Sequence, residues 1–176
     1  MFVITLIFLF DYIQVHTLNK LYELPFEYTS RISSLSHAII STIMSILFII
    51  GTIDYNLLKY CAIYNIIHCI SDINLYITNK ISNHDIKEYM VHHILFILCS
   101  LSSYVNPYIY SRGIITETST ILLNIYWFLK KKNSRFSNYI LILFWISFLI
   151  FRIINVNVLT YTMIYSKYSL YSILTI

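Results

Sequence analysis

Residues 138–154 read NYILILFWISFLIFRII, a run with a single charge, Arg152, and neither glycine nor proline. A helix that crosses a bilayer needs ~20 predominantly apolar residues, and the apolar character here continues to Ile176. At ~1.5 Å per residue the stretch from Asn138 to Ile176 is too long for one crossing. It reads as one long helix and a short further one, with a break near Asn155–Asn157.

Five other apolar stretches precede it: Met1 to about Leu18, about Leu35–Ile53, Leu57–Ile77, Tyr89–Val105 and Tyr108–Leu129. The first is interrupted by Asp11, Gln14 and His16. It lacks a basic leader and a small-residue cleavage site, so it reads as a membrane anchor rather than a signal peptide. The whole chain of 176 residues is 58% hydrophobic and 11% charged, with a mean hydropathy of +0.70. A soluble domain carries about 25% charged residues, and here the deficit runs along the entire chain. Two glycines and two prolines are too few to punctuate a β-rich fold. The expected fold class is therefore all-α, a polytopic transmembrane helix bundle of six spans, with a short seventh if the last stretch breaks. The expected organisation is an N-terminal membrane anchor and cytosolic loop over 1–29, followed by a transmembrane domain over 30–176.

The basic residues lie between the apolar runs, where they set orientation rather than bind nucleic acid. Segment 19–34 holds Lys20 and Arg31, segment 78–88 holds Lys80 and Lys87, and segment 130–137 holds Lys130, Lys131, Lys132 and Arg135. With six spans these three segments fall on one side. That side is expected to be cytosolic, with the N-terminus lumenal or exterior. Lys130–Lys132 reads first as a topology determinant, with anionic lipid contact as a second use. The Tyr-rich stretches 104–110 and 161–171 read as interfacial belts. Heavy use of Ile, Asn, Lys and Tyr is the bias of an A+T-rich genome, such as that of a large DNA virus or an intracellular parasite. Cys61, Cys69 and Cys99 lie within apolar runs and read as packing residues, not a disulfide framework. His16 and His84 carry no specific signal.

Ionisable residues within spans are costly, at ~2.5–3.5 kcal/mol each, and mark candidate sites. Counted from the cytosolic ends, His37, Asp72, His92, His93 and Asn124 fall within roughly 10 Å of that edge, on four different helices. Asn65, His68 and Asp72 share one helical stripe, as do Thr116 or Glu117, Thr120 and Asn124. His92 and His93 are about 100° apart on a helix, so only one is expected to point squarely at the other polar groups. Glu117 and Arg152 form a deeper set and read first as a structural ion pair between helices. Asp72 with a histidine is equally readable as an interhelical contact or as part of a functional pocket. A metal site from His37, Asp72, His92 and His93 suits imidazole and carboxylate chemistry, but no ligand spacing specifies it, and neither metal nor cofactor is assigned. Soluble catalytic motifs are absent: no nucleophile elbow, dinucleotide loop, P-loop or H-E-x-x-H.

These polar positions resemble the TLC-domain family, membrane proteins named from translocating-chain-associated, ceramide-synthase and neuronal ceroid lipofuscinosis members. The resemblance covers roughly 30–165 and comes in family order. Ser36-His37-Ala38 opens a span, Tyr64 to Asp72 ends in the family's type of aspartate, and Tyr89-Met90-Val91-His92-His93 carries paired histidines. Glu117 to Trp127 resembles an E-x-S-T-x-x-x-N-x-R-W run, with Tyr126 in place of its arginine, and Phe151-Arg152-Ile153 resembles a late F-x-R-I element. Ceramide synthases follow the histidines with an H-D-x-x-D segment, which is absent here, so the resemblance is to the non-synthase branch.

It implies an integral multi-pass protein of the endoplasmic reticulum or another endomembrane, a host membrane if the source is viral. It also implies membrane lipids as partners, of sphingolipid or phospholipid class. The leading reading is a protein that binds or handles lipids and influences membrane lipid composition. In that reading His92, His93 and Asp72 are the candidate reactive residues, and His37, His68 and Asn124 complete a lipid-binding polar layer. One alternative is a ceramide-synthase-like N-acyltransferase, with a histidine as base or nucleophile oriented by Asp72. The other is a non-catalytic membrane scaffold or partner protein. Whether a reaction is catalysed is left open at this point.

Overall fold

The computed structural model describes residues 25–78 and 83–174. The expected first span, Met1–Leu18, lies outside the described residues, as do Lys20 and Lys80. The described chain is helical throughout, with no strand. Its helices are α1 (Phe26–Ile49), α2 (Tyr55–Thr78), α3 (Asn83–Leu101), α4 (Pro107–Ile114), α5 (Glu117–Lys131), α6 (Ser137–Ser147) and α7 (Asn155–Leu174). A 3₁₀ turn, Ser102–Tyr104, extends α3, and a π-helical segment, Phe148–Ile154, joins α6 to α7.

Local chemistry sets the helix ends. Asp54 starts α2 by accepting the Leu57 amide at 2.8 Å. Asn106 starts α4 by accepting the amides of Tyr108 and Ile109, with Pro107 in the first-turn position that needs no donor. Helix α1 ends where Gly51 takes φ +76°. There the Thr52 amide returns to the Leu47 carbonyl and the Gly51 amide to Phe48, a left-handed cap that favours glycine. Helix α5 ends the same way with Asn133 at φ +51° and Ser134 bonded back to Leu129. Lys130 and Lys131 lie in its last turn, where cations complement the helix dipole.

Four boundaries differ from expectation. Helix α3 begins at Asn83 and not near Tyr89, so Lys87 is a helical residue. Helix α1 begins at Phe26, so Arg31 is a helical residue and not part of a loop. The stretch Tyr108–Leu129, expected as one helix, is broken at Ile115–Thr116. A β-branched run follows Gly113 there, and both features weaken a helix. At the break the Ile115 and Thr116 carbonyls accept the amides of Thr118 and Ser119 and also their hydroxyls, each at 2.8 Å. Conversely, no interruption occurs at Asn155–Asn157. Asn157 donates to the Ile153 carbonyl at 2.7 Å, and Asn155 exchanges bonds with Arg112. Their amides are satisfied without leaving the helix, and the irregularity falls one turn earlier as the π segment.

Packing is polar inside and apolar outside. Along α1, Ser41 and Ser45 are fully buried while Ile43, Ile46 and Ile49 are exposed. A small apolar cluster of Leu58, Ala62, Cys69, Phe96, Tyr110 and Ile114 joins α2, α3 and α4. Tyr110 is thus a core residue and departs from the expected interfacial belt, in which Tyr104 and Tyr108 are about half exposed. Among the described residues two stretches, Glu27–Ile49 and Ser137–Thr162, are long and apolar enough to cross a membrane, and only 11% of the most apolar part of the second is buried within the protein. The third apolar stretch, Met90–Tyr104, is shorter.

Helices α3 and α4 meet closely at Gly113, where an added Cβ would stand 2.6 Å from Cys99 Sγ. Gly113→Ala is therefore expected to destabilise the fold by about 1–3 kcal/mol, the usual range for overpacking. Removing the sulfur with Cys99→Ala in the same chain should restore most of that loss in a thermal unfolding series.

Candidate functional site

A cavity of about 220 Å³ opens between α1, α2, α3, α5 and the π segment. Each wall follows from helical spacing. Arg31, Ser34 and His37 line it from α1, His68 and Cys69 from α2, and His92, His93 and Phe96 from α3. Helix α5 supplies Glu117, Thr120, Leu123 and Asn124, and the π segment supplies Arg152. The wider turn of a π segment is a common means of re-aiming a functional side chain. It turns Arg152 onto the start of α5.

Beneath the cavity lies a hydrogen-bonded layer centred on Asn65, which is fully buried. Its Oδ1 accepts from Ser41 Oγ at 2.6 Å and from His37 Nε2 at 3.0 Å, and its Nδ2 donates to the Tyr110 hydroxyl at 2.8 Å. Because Oδ1 can only accept, His37 carries a proton on Nε2. The His37 ring stacks on His68, with centroids 3.9 Å apart and planes 10° from parallel.

Asp72 sits behind the imidazoles. Its Oδ2 is 3.4 Å from His93 Nε2 and 3.8 Å from His68 Nε2, and all three residues are at least nine-tenths buried. Asp72 does not itself line the cavity, so two histidines separate it from whatever enters. Both paired histidines line the cavity; His93 also turns its Nε2 to Asp72, and His92 is set edge-on to it.

Glu117 and Arg152 were expected to form a separate, deeper set. They instead close one end of this same cavity, with Arg152 Nη2 3.6 Å from Glu117 Oε1. Arg152 also donates to Ser119 Oγ and Thr120 Oγ1, both at 2.9 Å. At the other end Asn124 accepts from Arg31 at 3.3 Å and donates to Ser34 at 3.2 Å, and Arg31 lies over the Trp127 ring. From Asn124 to Lys131 is seven residues, ~10 Å of helix. Lys131 pairs with Glu27 at 3.4 Å, so the cavity lies about that far from the basic end of α5.

The structure therefore brings His37, His68, His92, His93, Glu117, Asn124 and Arg152 around one space, with Asp72 directly behind. Among the described residues no group of three or more His, Cys, Asp or Glu is placed to hold a metal ion. Sequence reading missed Arg31 and Ser34. The available signal was the polar stripe Ser30, Ser33, Ser34, His37, Ser41, Ser45 at helical spacing in an otherwise apolar run. Carried back from His37, that stripe predicts that Arg31 is helical and faces inward.

The pattern of one aspartate, paired histidines, an E-x-S-T start and a late arginine, gathered in an all-helical and outwardly apolar chain, defines a membrane-associated class of protein. A family model for the TLC domain matches residues 27–174, and the chain belongs to the TLC-domain family. Among curated proteins and solved structures nothing matches it significantly.

Proposed function

We propose that this chain is a multi-pass membrane protein that holds the polar part of a lipid in the cavity and thereby influences membrane lipid composition. The supporting observation is the cavity itself: a space lined mostly by polar and ionisable residues, bounded by five helical segments in a bundle whose outer surface is apolar. Membership of a lipid-associated family supports the same reading. In the proposed arrangement six spans cross an endomembrane. Of these, α1, α2 and α3 form three, α4 with α5 a fourth, and the stretch from α6 into α7, Ser137–Thr162, a fifth. The N-terminus faces the lumen and the 130–137 turn faces the cytosol. The polar layer then lies near the cytosolic leaflet, where headgroups are within reach. Replacing Asp72 by Asn with His92 and His93 by Ala should abolish the shift in cellular lipid profile that the wild-type chain produces on expression. A profile indistinguishable from wild type, at equal protein level, would refute the site.

A second reading is an acyl transfer in which His93, oriented by Asp72, acts as base toward an amine. It is favoured by one observation, the 3.4 Å approach of Asp72 to His93. It requires that purified protein form amide from a long-chain base and an acyl-CoA. No turnover across chain lengths eliminates it.

A further inference from the structure

The end of the cavity formed by Glu117 and Arg152 is incompletely satisfied. Glu117 is 3% exposed, and its Oε1 is shut off from solvent and accepts no hydrogen bond. A carboxylate and a guanidinium free to close would approach to 2.7–2.9 Å, commonly in a two-pronged contact. Here they stand 3.6 Å apart, because Arg152 Nε and Nη2 are already directed to Ser119 and Thr120. Glu117 and Arg152 both line the cavity, so the pair offers a carboxylate and a guanidinium side by side at one of its walls. A buried polar oxygen without a partner calls for an explanation, and the adjoining cavity supplies one.

Three kinds of polar group can be compared at this wall. An ammonium would satisfy Glu117 but bring a second cation against Arg152. A carboxylate or phosphate would satisfy Arg152 but meet the Glu117 carboxylate. A hydroxyl donates to one and accepts from the other without adding charge. Phe96, Leu123 and Cys69 line the same cavity and provide apolar contact for carbon attached to that hydroxyl. We infer that the Glu117–Arg152 end of the cavity binds the hydroxyl of a neutral, alcohol-bearing lipid. This inference rests on the lipid-handling reading and names the chemical class of its ligand.

The test measures affinities of the purified full chain in lipid nanodiscs for 1-hexadecanol, hexadecyl methyl ether, hexadecylamine and glycerol. The alcohol donates and accepts, the ether only accepts, the amine is cationic, and glycerol carries hydroxyls without a chain. Loss of a hydrogen bond to a charged partner corresponds to about tenfold or more in affinity. Wild type should therefore prefer the alcohol to the ether by about that factor. Glu117→Gln keeps the shape of the side chain and should lower the preference by about threefold or more, since a neutral acceptor is roughly half as strong. The readout is a ratio within each variant, so a general loss of stability does not imitate it. A circular-dichroism spectrum matching wild type shows that the variant has folded. Equal binding of alcohol and ether by wild type overturns the inference while leaving lipid binding intact. Tighter binding of the amine also overturns it. Glycerol competing as well as the alcohol overturns the lipid as the source of the hydroxyl. If none of the three long-chain probes binds, the lipid-handling reading fails and takes the inference with it.

Discussion

Asn65→Ala is expected to lower the stability of the bundle by roughly 2–4 kcal/mol. The side chain makes three interactions with other helices, to Ser41 and His37 on α1 and to Tyr110 on α4. Each such bond in a membrane bundle contributes about 0.6–1.5 kcal/mol net. The substitution also takes the Asn65 bond from buried partners: Ser41 and Tyr110 are fully buried and His37 nearly so, and Ser41 and His37 keep only their mutual contact at 3.4 Å. A stranded polar group loses its desolvation free energy without compensation. Ser41→Ala removes one bond to Asn65 and should cost about 1 kcal/mol or less. The comparison is made by unfolding in mild detergent, with helicity and the melting midpoint as readouts. If the two substitutions cost the same, the buried layer is not organised around Asn65. A functional consequence follows. The His37 imidazole forms part of the cavity wall and is held by Asn65, so the Asn65 variant should also weaken binding of any cavity ligand.

The helices were legible in the sequence because apolar runs of ~20 residues admit few other readings. The polar layer was legible because ionisable residues are rare enough in such runs to be compared for depth and face. His68 and Asp72 follow i, i+4 spacing, and the structure turns both inward. The divided orientation of His92 and His93 follows from the 100° step between neighbours on a helix. Less was legible where hydrogen bonding, not hydropathy, decides the backbone. At the break at Ile115–Thr116, two carbonyls accept both the amides and the hydroxyls of Thr118 and Ser119. The continuity through Asn155 depends on Arg112, 43 residues away in sequence. Depth counting also assumed straight, complete helices. With α5 beginning only at Glu117 and the π segment altering the pitch before Asn155, Glu117 and Arg152 reach the same cavity as the histidines. A one-dimensional count had placed them in a layer of their own.

Glu117 and Arg152 should respond unequally to removal, with Arg152→Ala the more damaging. The Arg152 side chain is 30% exposed and that of Glu117 is 4% exposed. Arg152 keeps two hydroxyl partners when Glu117 is lost, and it can draw on solvent at its open side. Glu117 Oε1 has no hydrogen bond to fall back on when Arg152 is lost. Breaking a buried pair from the side that leaves an uncompensated charge costs about 3–5 kcal/mol. Arg152→Ala is expected near that range, and Glu117→Ala nearer 1–2 kcal/mol, since the remaining cation stays hydrogen-bonded. Adding Glu117→Gln to Arg152→Ala removes the stranded charge and should recover a large part of the loss. The cycle is read from unfolding free energies of the single and combined variants, whose departure from additivity isolates the pair. Additive losses would mean that the two groups do not interact, and a larger loss from Glu117→Ala would mean that the carboxylate anchors the guanidinium. The expected order has a direct bearing on the site. A carboxylate that depends on one distant cation, and otherwise lacks a donor, is the part of this bundle most altered by a ligand that brings a donor of its own.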